Sequence, residues 1–439
     1  MSNAKTTDVQ DFLDAQPFSA YQWLLFAVCF LIILMDGFDT AAIGFIAPSL
    51  MTEWGIAKPA LAPVLSAALF GLAFGALSAG PLADRFGRKI MLCLAVSVMG
   101  VGSLISGHAA NLEELTLWRF ITGLGLGAAM PNAVTLMNEY CPKSKRAVIT
   151  NTMFSGFPIG SALGGFFAAW LIPQYGWRSL LILGGILPLV LVVVAMVVMP
   201  ESVRFLTARK NATHRVRTTL ARISSTALQF DHFTLRENAV TQGGGLRTVL
   251  SPRYLLGSLM LWLAYFMGLV IIYGLVNWMP VLFKEAGIPP AKAAMIAALF
   301  QLGGLGTILF GYLMDRGNPN KVIAWGYLLS CLSVALVGQT IQSSLLALIT
   351  VVFIGGFIMN ATQASMPQLA ASYYPTMGRA TGVAWMMGIG RFGGIAGSFL
   401  VAELSRQQLA LPHVFLVVGL PGVVAALAIW AKNKWGQVP

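Results

Sequence analysis

The sequence predicts an all-α membrane protein in which twelve transmembrane helices form two pseudo-symmetric six-helix bundles. Three observations support this fold class. Of the 439 residues, 57% are hydrophobic and 10% are charged, whereas soluble domains carry about 25% charged residues. Apolar windows of about 20 residues, the length that crosses a bilayer as a helix, occur about twelve times between residues 23 and 431. The third observation is an internal repeat.

The apolar windows are expected to be helices because lipid offers no hydrogen-bond partner to an open backbone. The first window follows a polar N-terminal segment and is too long for the core of a signal peptide. No cleaved leader is therefore expected.

The repeat is carried by two motifs. Residues 80–89 read GPLADRFGRK, and 231 positions later residues 311–321 read GYLMDRGNPNK. Residues 140–147 (YCPKSKRA) recur as residues 373–380 (YYPTMGRA). The predicted domains are an N-terminal bundle (1–200), a cytoplasmic linker (201–252) and a C-terminal bundle (253–439). Two parallel halves of this kind place a central cavity between them.

Basic residues predict the topology. The connections on one side hold nine arginines and lysines between residues 201 and 253 alone, whereas those on the other side hold five: Lys58, Arg178, Lys284, Lys292 and Arg406. Since positive charge is retained inside, both termini are expected in the cytoplasm. The net charge of +12 reports this topology. A nucleic-acid surface is disfavoured because the charges are scattered over short loops.

Two aspartates, Asp36 and Asp39, lie one helical turn apart inside the first apolar window. A carboxylate at that depth costs several kcal/mol unless it is protonated or paired. The equivalent positions of the second half hold Met267 and Val270. A function that the first half alone performs explains this asymmetry better than a structural role, which the second half would be expected to share. The pair favours a proton-coupled transporter; a purely structural salt bridge is the alternative.

Three segments resemble signatures of the major facilitator superfamily: residues 80–89, 119–127 (RFITGLGLG) and 200–206 (PESVRFL). Within it, residues 36–41 (DGFDTA), 44–48 (GFIAP) and 378–393 resemble the aromatic acid:proton symporters, closest to the 4-hydroxybenzoate and protocatechuate permeases. The resemblance covers nearly the whole chain. It implies uptake of a small aromatic carboxylate with protons across a bacterial inner membrane, by alternating access, as a monomer and with no cofactor besides the proton gradient.

Two arginines are candidate partners for anions in the membrane. Arg119 lies at about the same depth as Asp36, by a rise of about 1.5 Å per residue, and is expected to compensate the aspartates or to contact substrate. Arg391 lies among Gly388, Gly390 and Gly393. Its planar fork suits a substrate carboxylate, although it can also hold a helix end or a buried acid.

Aromatic and polar side chains complete the candidate site. Phe38, Tyr273 and Trp385 offer stacking surfaces for a ring, although single aromatics in membrane helices usually belong to the core or face lipid. Gln301 and Asn360 can bind a ring hydroxyl or bridge helices. The cysteines and histidines show no metal-ligand spacing, and no metal site is expected.

The resemblance also implies gating residues on the cytoplasmic side that latch the two halves: Gly80, Asp84, Arg85, Arg88, Glu139, Asp315, Arg316 and Arg379. Arg88 can reach Glu139 at the end of the fourth helix. The second copy of this latch is incomplete, because Ser372 stands where the first half has Glu139.

Other functions are weaker interpretations. An intramembrane aspartyl protease needs its two acids on different helices, whereas Asp36 and Asp39 share one, so an enzyme is disfavoured. An efflux pump, or a transporter of another organic acid such as muconate, keeps the same fold. Glycines at 123, 125 and 127 lie in a predicted membrane helix without a preceding strand, which favours helix packing over a nucleotide loop.

Overall fold

The computed structural model describes residues 6–207, 213–234, 244–341 and 343–435, apart from a few side chains that include Asp84. Within these ranges twelve helices are long and apolar enough to cross a membrane. They confirm the predicted fold class, and we number them as spans 1 to 12.

The helices of the first six spans are Ala20–Trp54, Ala62–Phe86, Arg88–Ser106, Leu112–Glu139, Lys143–Tyr175 and Arg178–Val198, with a 3₁₀ turn at Lys58–Leu61 leading into span 2. Span 1 is longer than its apolar window because both ends are capped. Ser19 and Gln22 form a capping box at its start, which satisfies free backbone N–H groups. Gly55, at a φ of 62°, ends it in the left-handed conformation that favours glycine.

The second six spans contain two interrupted helices. Their helices are Pro252–Glu285, Pro290–Leu302 with Thr307–Arg316, Pro319–Thr340, Leu345–Tyr373, Thr376–Arg406, and Leu411–Gly419 with Pro421–Trp435. The break in span 8 is a 3₁₀ turn at Gly303–Gly306, where three glycines of low helix propensity follow one another closely. A Cβ on Gly303 would lie 2.1 Å from Phe357 N, so the break lets spans 8 and 10 touch.

Shorter elements lie outside the spans: helices Val9–Asp14, Val203–Thr207, Thr213–Ala221 and Gly244–Val249, a 3₁₀ turn at Ser225–Gln229, and strands Thr6–Asp8 and His232–Thr234. The two strands pair in parallel. Phe12 packs edge-on against Phe230 and Phe233. The N-terminal segment is thus bound to the linker that joins the two halves in the sequence. This contact was not predicted from the sequence.

Glycines let the spans approach at the level of the buried charges. A Cβ on Gly37 would lie 1.9 Å from Phe157 O, so spans 1 and 5 meet beside Asp36. A Cβ on Gly123 would lie 2.2 Å from Ala68 O, which brings spans 2 and 4 together. The second contact confirms the packing interpretation of the spaced glycines and fixes the helix that carries Arg119.

The two halves meet on one side of the molecule. We call the ends of the spans that lie near the chain termini the terminal side, and the opposite ends the distal side. Every hydrogen bond and ion pair seen between described residues of the two halves lies at mid-span or on the distal side. These contacts are Asn277 Nδ2 to Leu65 O at 3.3 Å, Lys284 Nζ to Pro48 O at 2.7 Å and to Thr52 Oγ1, Lys58 to Glu285, and Gln301 Nε2 to Ser161 Oγ at 2.7 Å.

Burial follows the same division. Residues 36–48 of span 1 and 274–283 of span 7 are all buried, on every face of each helix. Toward the terminal side of span 11, Gly388 is exposed and a Cβ there would meet nothing within 4 Å. The halves are therefore packed together distally, and the space between them opens toward the terminal side.

Candidate functional site

Asp39 and Arg119 form a buried ion pair inside the first half. Arg119 donates to the two carboxylate oxygens of Asp39, from Nη1 at 3.0 Å and from Nη2 at 2.7 Å. Nη2 also donates to the backbone carbonyl of Asp39 at 3.0 Å. The side chains are 0% and 1% exposed. Such a two-pronged contact compensates both charges and holds spans 1 and 4 in one geometry.

Asp36 is buried in a different environment. Its side chain accepts a hydrogen bond from Thr40 Oγ1 at 3.2 Å, and no arginine or lysine among the described residues lies within ion-pair distance. Arg391 of the second half is near enough to interact with it electrostatically. Asp36 is therefore a buried acid that faces a cation across the two halves without touching it.

Arg391 is half-buried on span 11 and makes no hydrogen bond or ion pair with a described residue. Two nearby glycines of span 11 leave room for the rings of two tyrosines of span 7. A Cβ on Gly390 would lie 2.3 Å from the Tyr265 ring, and one on Gly394 would lie 2.6 Å from the Tyr273 ring. The Arg391 side chain thus lies near two tyrosine rings, and no described residue occupies its N–H donors.

Tyr273, on span 7, is near both charged groups of the candidate site. It interacts electrostatically with both Arg391 and Asp36, and its hydroxyl has no hydrogen-bond partner in the described chain. Tyr265 also interacts with Arg391. Sequence reasoning proposed Tyr273 as a site residue, and the structure brings it to the cation.

Trp385 and Phe38 have different surroundings. Trp385 is 43% exposed and stacks on Trp262, with ring centroids 5.8 Å apart. Phe38 is buried within the first bundle, against Phe167 of span 5 and Gly184 of span 6. The structure gives Phe38 a packing position away from the space between the halves, because it points from the opposite face of the helix to Asp36, two residues earlier.

The side-chain amide nitrogens of Gln301 and Asn360 both donate hydrogen bonds to neighbouring helices. Gln301 Nε2 donates across the two halves to Ser161 Oγ. Asn360 Nδ2 donates to the carbonyls of Phe300 and Gly356, at 2.9 and 3.0 Å. Both therefore bridge helices, which was the alternative interpretation. Their side-chain oxygens accept no hydrogen bond from a described residue and can accept one from a ligand. Asn360 has used both of its amide N–H donors, whereas Gln301 keeps one.

Around Glu139 the gating motif forms contacts within the first half. Arg88 Nε lies 3.0 Å from Glu139 Oε1, and Ser202 Oγ donates to Glu139 Oε2 at 2.6 Å. The predicted Arg88–Glu139 contact is present, but it joins spans 3 and 4 and does not join the two halves. The expectation of an inter-half latch is not met by this pair, because the halves are apart on the terminal side.

Glu201 was not assigned a role from the sequence. Its carboxylate accepts from Lys89 N at 3.1 Å and so caps the start of span 3. Gly87, at a φ of 100°, leaves room for it, since a Cβ there would lie 2.5 Å from Glu201 Oε2. The Tyr140 hydroxyl donates to Glu201 O at 2.5 Å. Burial raises the pKa of Tyr140 well above its ordinary value, so this donor stays protonated at alkaline pH as well.

The other predicted gating residues are mostly exposed. The guanidinium of Arg85 lies over the Phe86 ring at 5.3 Å and that of Arg316 over the Tyr312 ring at 4.3 Å. Asp315 and Arg379 form no ion pair with a described residue, and Gly80 has open space around it. The side chain of Asp84 lies outside the described residues. Apart from Asp84, none of these positions connects the halves through a contact between described residues.

The distal contacts were missed by sequence reasoning. Lys58 and Glu285 carry opposite charges in two connections on the same predicted side, and Asn277 is a polar residue inside an apolar run. These features are compatible with a distal contact, but the sequence does not show on which side of the molecule the halves meet.

The sequence also matches a known protein family. The sequence profile described as Major Facilitator Superfamily matches residues 29–319 and 284–435. The chain belongs to the Major Facilitator Superfamily. Among solved structures of this fold, the crystal structure of a D-xylose-proton symporter superposes with a TM-score of 0.73 at 19% identity, covering 96% of this chain and 100% of that one.

Curated relatives within the superfamily are transporters by name. The 4-hydroxybenzoate transporter PcaK of Pseudomonas aeruginosa is 49% identical over 97% of this chain and 96% of its own. The gallate transporter of Pseudomonas putida is 47% identical over 97% of this chain and 95% of its own. The predicted family is confirmed by these relatives, and so is the prediction that the chain is not an enzyme.

Proposed function

We propose that this superfamily member is a proton-coupled symporter that imports a small aromatic carboxylate of the 4-hydroxybenzoate type. The observation that carries the proposal is Arg391, a half-buried cation without a partner among the described residues, facing the unpaired acid Asp36. The names of the relatives supply the substrate class. A membrane-embedded arginine of this kind is expected to bind an anion for part of the cycle.

The substrate carboxylate binds Arg391 in this scheme. A guanidinium presents two parallel N–H donors that match the two oxygens of a carboxylate. Tyr265 and Tyr273, which pack beside Arg391 through Gly390 and Gly394, offer their rings to the substrate ring. An aromatic carboxylate uses both features, whereas an aliphatic acid uses only the first.

The ring hydroxyl is recognised by acceptors. Asn360 has used both amide N–H donors on backbone carbonyls, and Gln301 has used one of its two on Ser161, so the free oxygens of both accept from a group that donates. A phenol hydroxyl donates, while a methyl ether or a bare ring carbon does not. The scheme therefore favours hydroxybenzoates over benzoate and over methoxybenzoates.

In this proposal Asp36 carries the proton, whereas Asp39 has a structural role as the partner of Arg119. An ionised Asp36 partly neutralises Arg391 in the empty carrier. When Asp36 takes up a proton, it no longer competes for the guanidinium, and the substrate carboxylate replaces it. One proton and one anion then cross together, so the central site carries the same net charge when loaded as when empty. The reverse exchange releases both.

Alternating access follows from the two sides of the molecule. We assign the terminal side to the cytoplasm of a bacterial inner membrane, in line with the arginine and lysine distribution. The described conformation, closed distally and open toward the terminal side, is then the one that releases substrate into the cell. Both halves of the site come from one chain, so the proposed working unit is a monomer.

The experiment is counterflow in proteoliposomes. Vesicles holding the purified protein are loaded with unlabelled 4-hydroxybenzoate and diluted into a trace of labelled compound, with protein-free vesicles as the control. The proposal predicts transient accumulation of label inside the protein-containing vesicles, and gallate and benzoate as external competitors rank its specificity. Entry of label no faster than in protein-free vesicles would contradict the proposal.

A further inference from the structure

An apolar groove of about 640 Å³ runs along the outer face of the molecule between spans 2 and 4 of the first half and span 11 of the second. Its walls include Phe70 and Phe74 of span 2, Leu117 of span 4 and Phe399 of span 11. These four side chains are 37%, 59%, 57% and 44% exposed. Because they lie inside membrane spans, the surrounding medium is lipid.

The groove has the length of one leaflet. Along span 2 it extends from Pro63 to Phe74, which corresponds to about 16 Å at a rise of about 1.5 Å per residue. Half of a hydrocarbon core of about 30 Å is about 15 Å. The groove therefore begins near the distal membrane surface and ends near the middle of the bilayer.

One charged residue stands at the shallow end of the groove. Glu113, the second residue of span 4, lines it and is exposed. It pairs with no cation of the described chain and makes no hydrogen bond there. Its neighbour Glu114 is different, because its carboxylate accepts from Ala110 N at 3.0 Å and belongs to the cap of the helix. Glu113 is thus an unpaired acid at the depth of lipid headgroups.

We propose that this groove is a binding site for a phospholipid with a primary ammonium headgroup. An acyl chain lies along the aromatic wall, and the ammonium, with its three N–H donors, binds the Glu113 carboxylate. An anionic headgroup is repelled there, and a quaternary ammonium cannot donate a hydrogen bond. Because Phe399 belongs to the other half, the bound chain contacts both bundles in the distally closed conformation.

Native mass spectrometry of the delipidated full chain tests this, with phosphatidylethanolamine, phosphatidylcholine and phosphatidylglycerol added in equal amounts. The wild type is expected to retain the ethanolamine lipid about tenfold over the glycerol lipid. Glu113→Gln should bring that ratio to about one, whereas the matched control Glu114→Gln should keep it. Thr116→Trp, which fills the groove from its wall, should lower occupancy by all three lipids.

Three results would overturn the assignment: equal retention of the lipids by the wild type, an unchanged preference in Glu113→Gln, or a lipid-free dimer that Thr116→Trp disrupts. The last would make the groove a contact between copies of the chain. Since the readout is lipid binding, its failure leaves the transport proposal untouched, and the reverse also holds.

Discussion

Arg119 donates two hydrogen bonds to the carboxylate of Asp39, at 3.0 and 2.7 Å, from a side chain that is fully shielded from solvent. Asp36, one turn earlier on the same helix, has Thr40 as its one hydrogen-bond partner in the described part of the chain and faces Arg391 of the other half. Two acids that the sequence suggested as one functional pair therefore differ in their surroundings. Asp39 is suited to hold the fold, and Asp36 is suited to change its charge.

The Asp39–Arg119 pair is expected to be a stability determinant. Asp39→Asn or Arg119→Gln alone leaves one charge buried without its partner, which costs about 3–5 kcal/mol in comparable sites. The double variant removes both charges and should lose less than either single one. Unfolding of the purified proteins in detergent micelles measures this, and a double variant less stable than both singles would argue against the pairing.

Asp36→Asn should abolish the coupling of substrate transport to protons but not substrate transport itself. The side chain keeps its size, and no ion pair is broken, so folding and counterflow of labelled 4-hydroxybenzoate should be retained. Accumulation driven by an inward proton gradient should fall to the equilibrium level. Glu403→Gln is a matched control, since this acid is on the distal surface and pairs with Arg406. Uphill accumulation by Asp36→Asn at the wild-type level would remove Asp36 from the coupling role.

Arg391→Lys should weaken carboxylate binding without loss of fold. Lysine keeps the charge but lacks the planar fork, so we expect the dissociation constant for 4-hydroxybenzoate to rise at least tenfold, or about 1.4 kcal/mol. A thermal-shift titration of purified protein measures the affinity and the unliganded melting temperature together. Arg406→Lys, on the same span, serves as the control. Unchanged affinity in Arg391→Lys would place the substrate carboxylate elsewhere.

The distal contact offers a test of alternating access. Lys58 and Glu285 pair across the two halves through long side chains, so Lys58→Cys with Glu285→Cys, in a background without the four native cysteines, should be joined by a bis-methanethiosulfonate cross-linker that replaces the lost side-chain length and holds the distal side closed. Uptake should be lost on cross-linking and return on reduction. Glu53→Cys with Arg178→Cys is the matched pair, because its residues touch within the first half. Full uptake by the cross-linked inter-half pair would mean that the distal side need not open.

Much of the fold was predictable because the bilayer imposes it. A membrane requires long apolar helices, and the repeated motifs at residues 80–89 and 311–321 divide the chain into equivalent halves. The pairing of Thr6–Asp8 with His232–Thr234 was not predictable, since three-residue strands far apart in the chain carry too little periodicity. The side on which the halves meet was not predictable either, because it depends on the conformation that the protein adopts.

The candidate site was predictable in its charges and less so in its contacts. Depth arithmetic brought Arg119 to the level of both aspartates, but Asp36 and Asp39 differ in height by only about 4.5 Å, too little to decide which one is paired. The prediction that Phe38 lines the substrate site could have been avoided from helix geometry alone. Two residues along a helix correspond to a rotation of about 200°, so Phe38 and Asp36 cannot face the same space.

The central claim is that a proton and an aromatic carboxylate cross together through Asp36 and Arg391. It is tested most directly by proton entry driven by substrate alone. Proteoliposomes with a trapped pH indicator and equal pH on both sides receive external 4-hydroxybenzoate, with protein-free vesicles correcting for diffusion of the neutral acid. The account predicts rapid internal acidification in the wild type and a protein-free rate in Asp36→Asn. Substrate entry without acidification above the protein-free rate in the wild type, or equal acidification in both proteins, would contradict it.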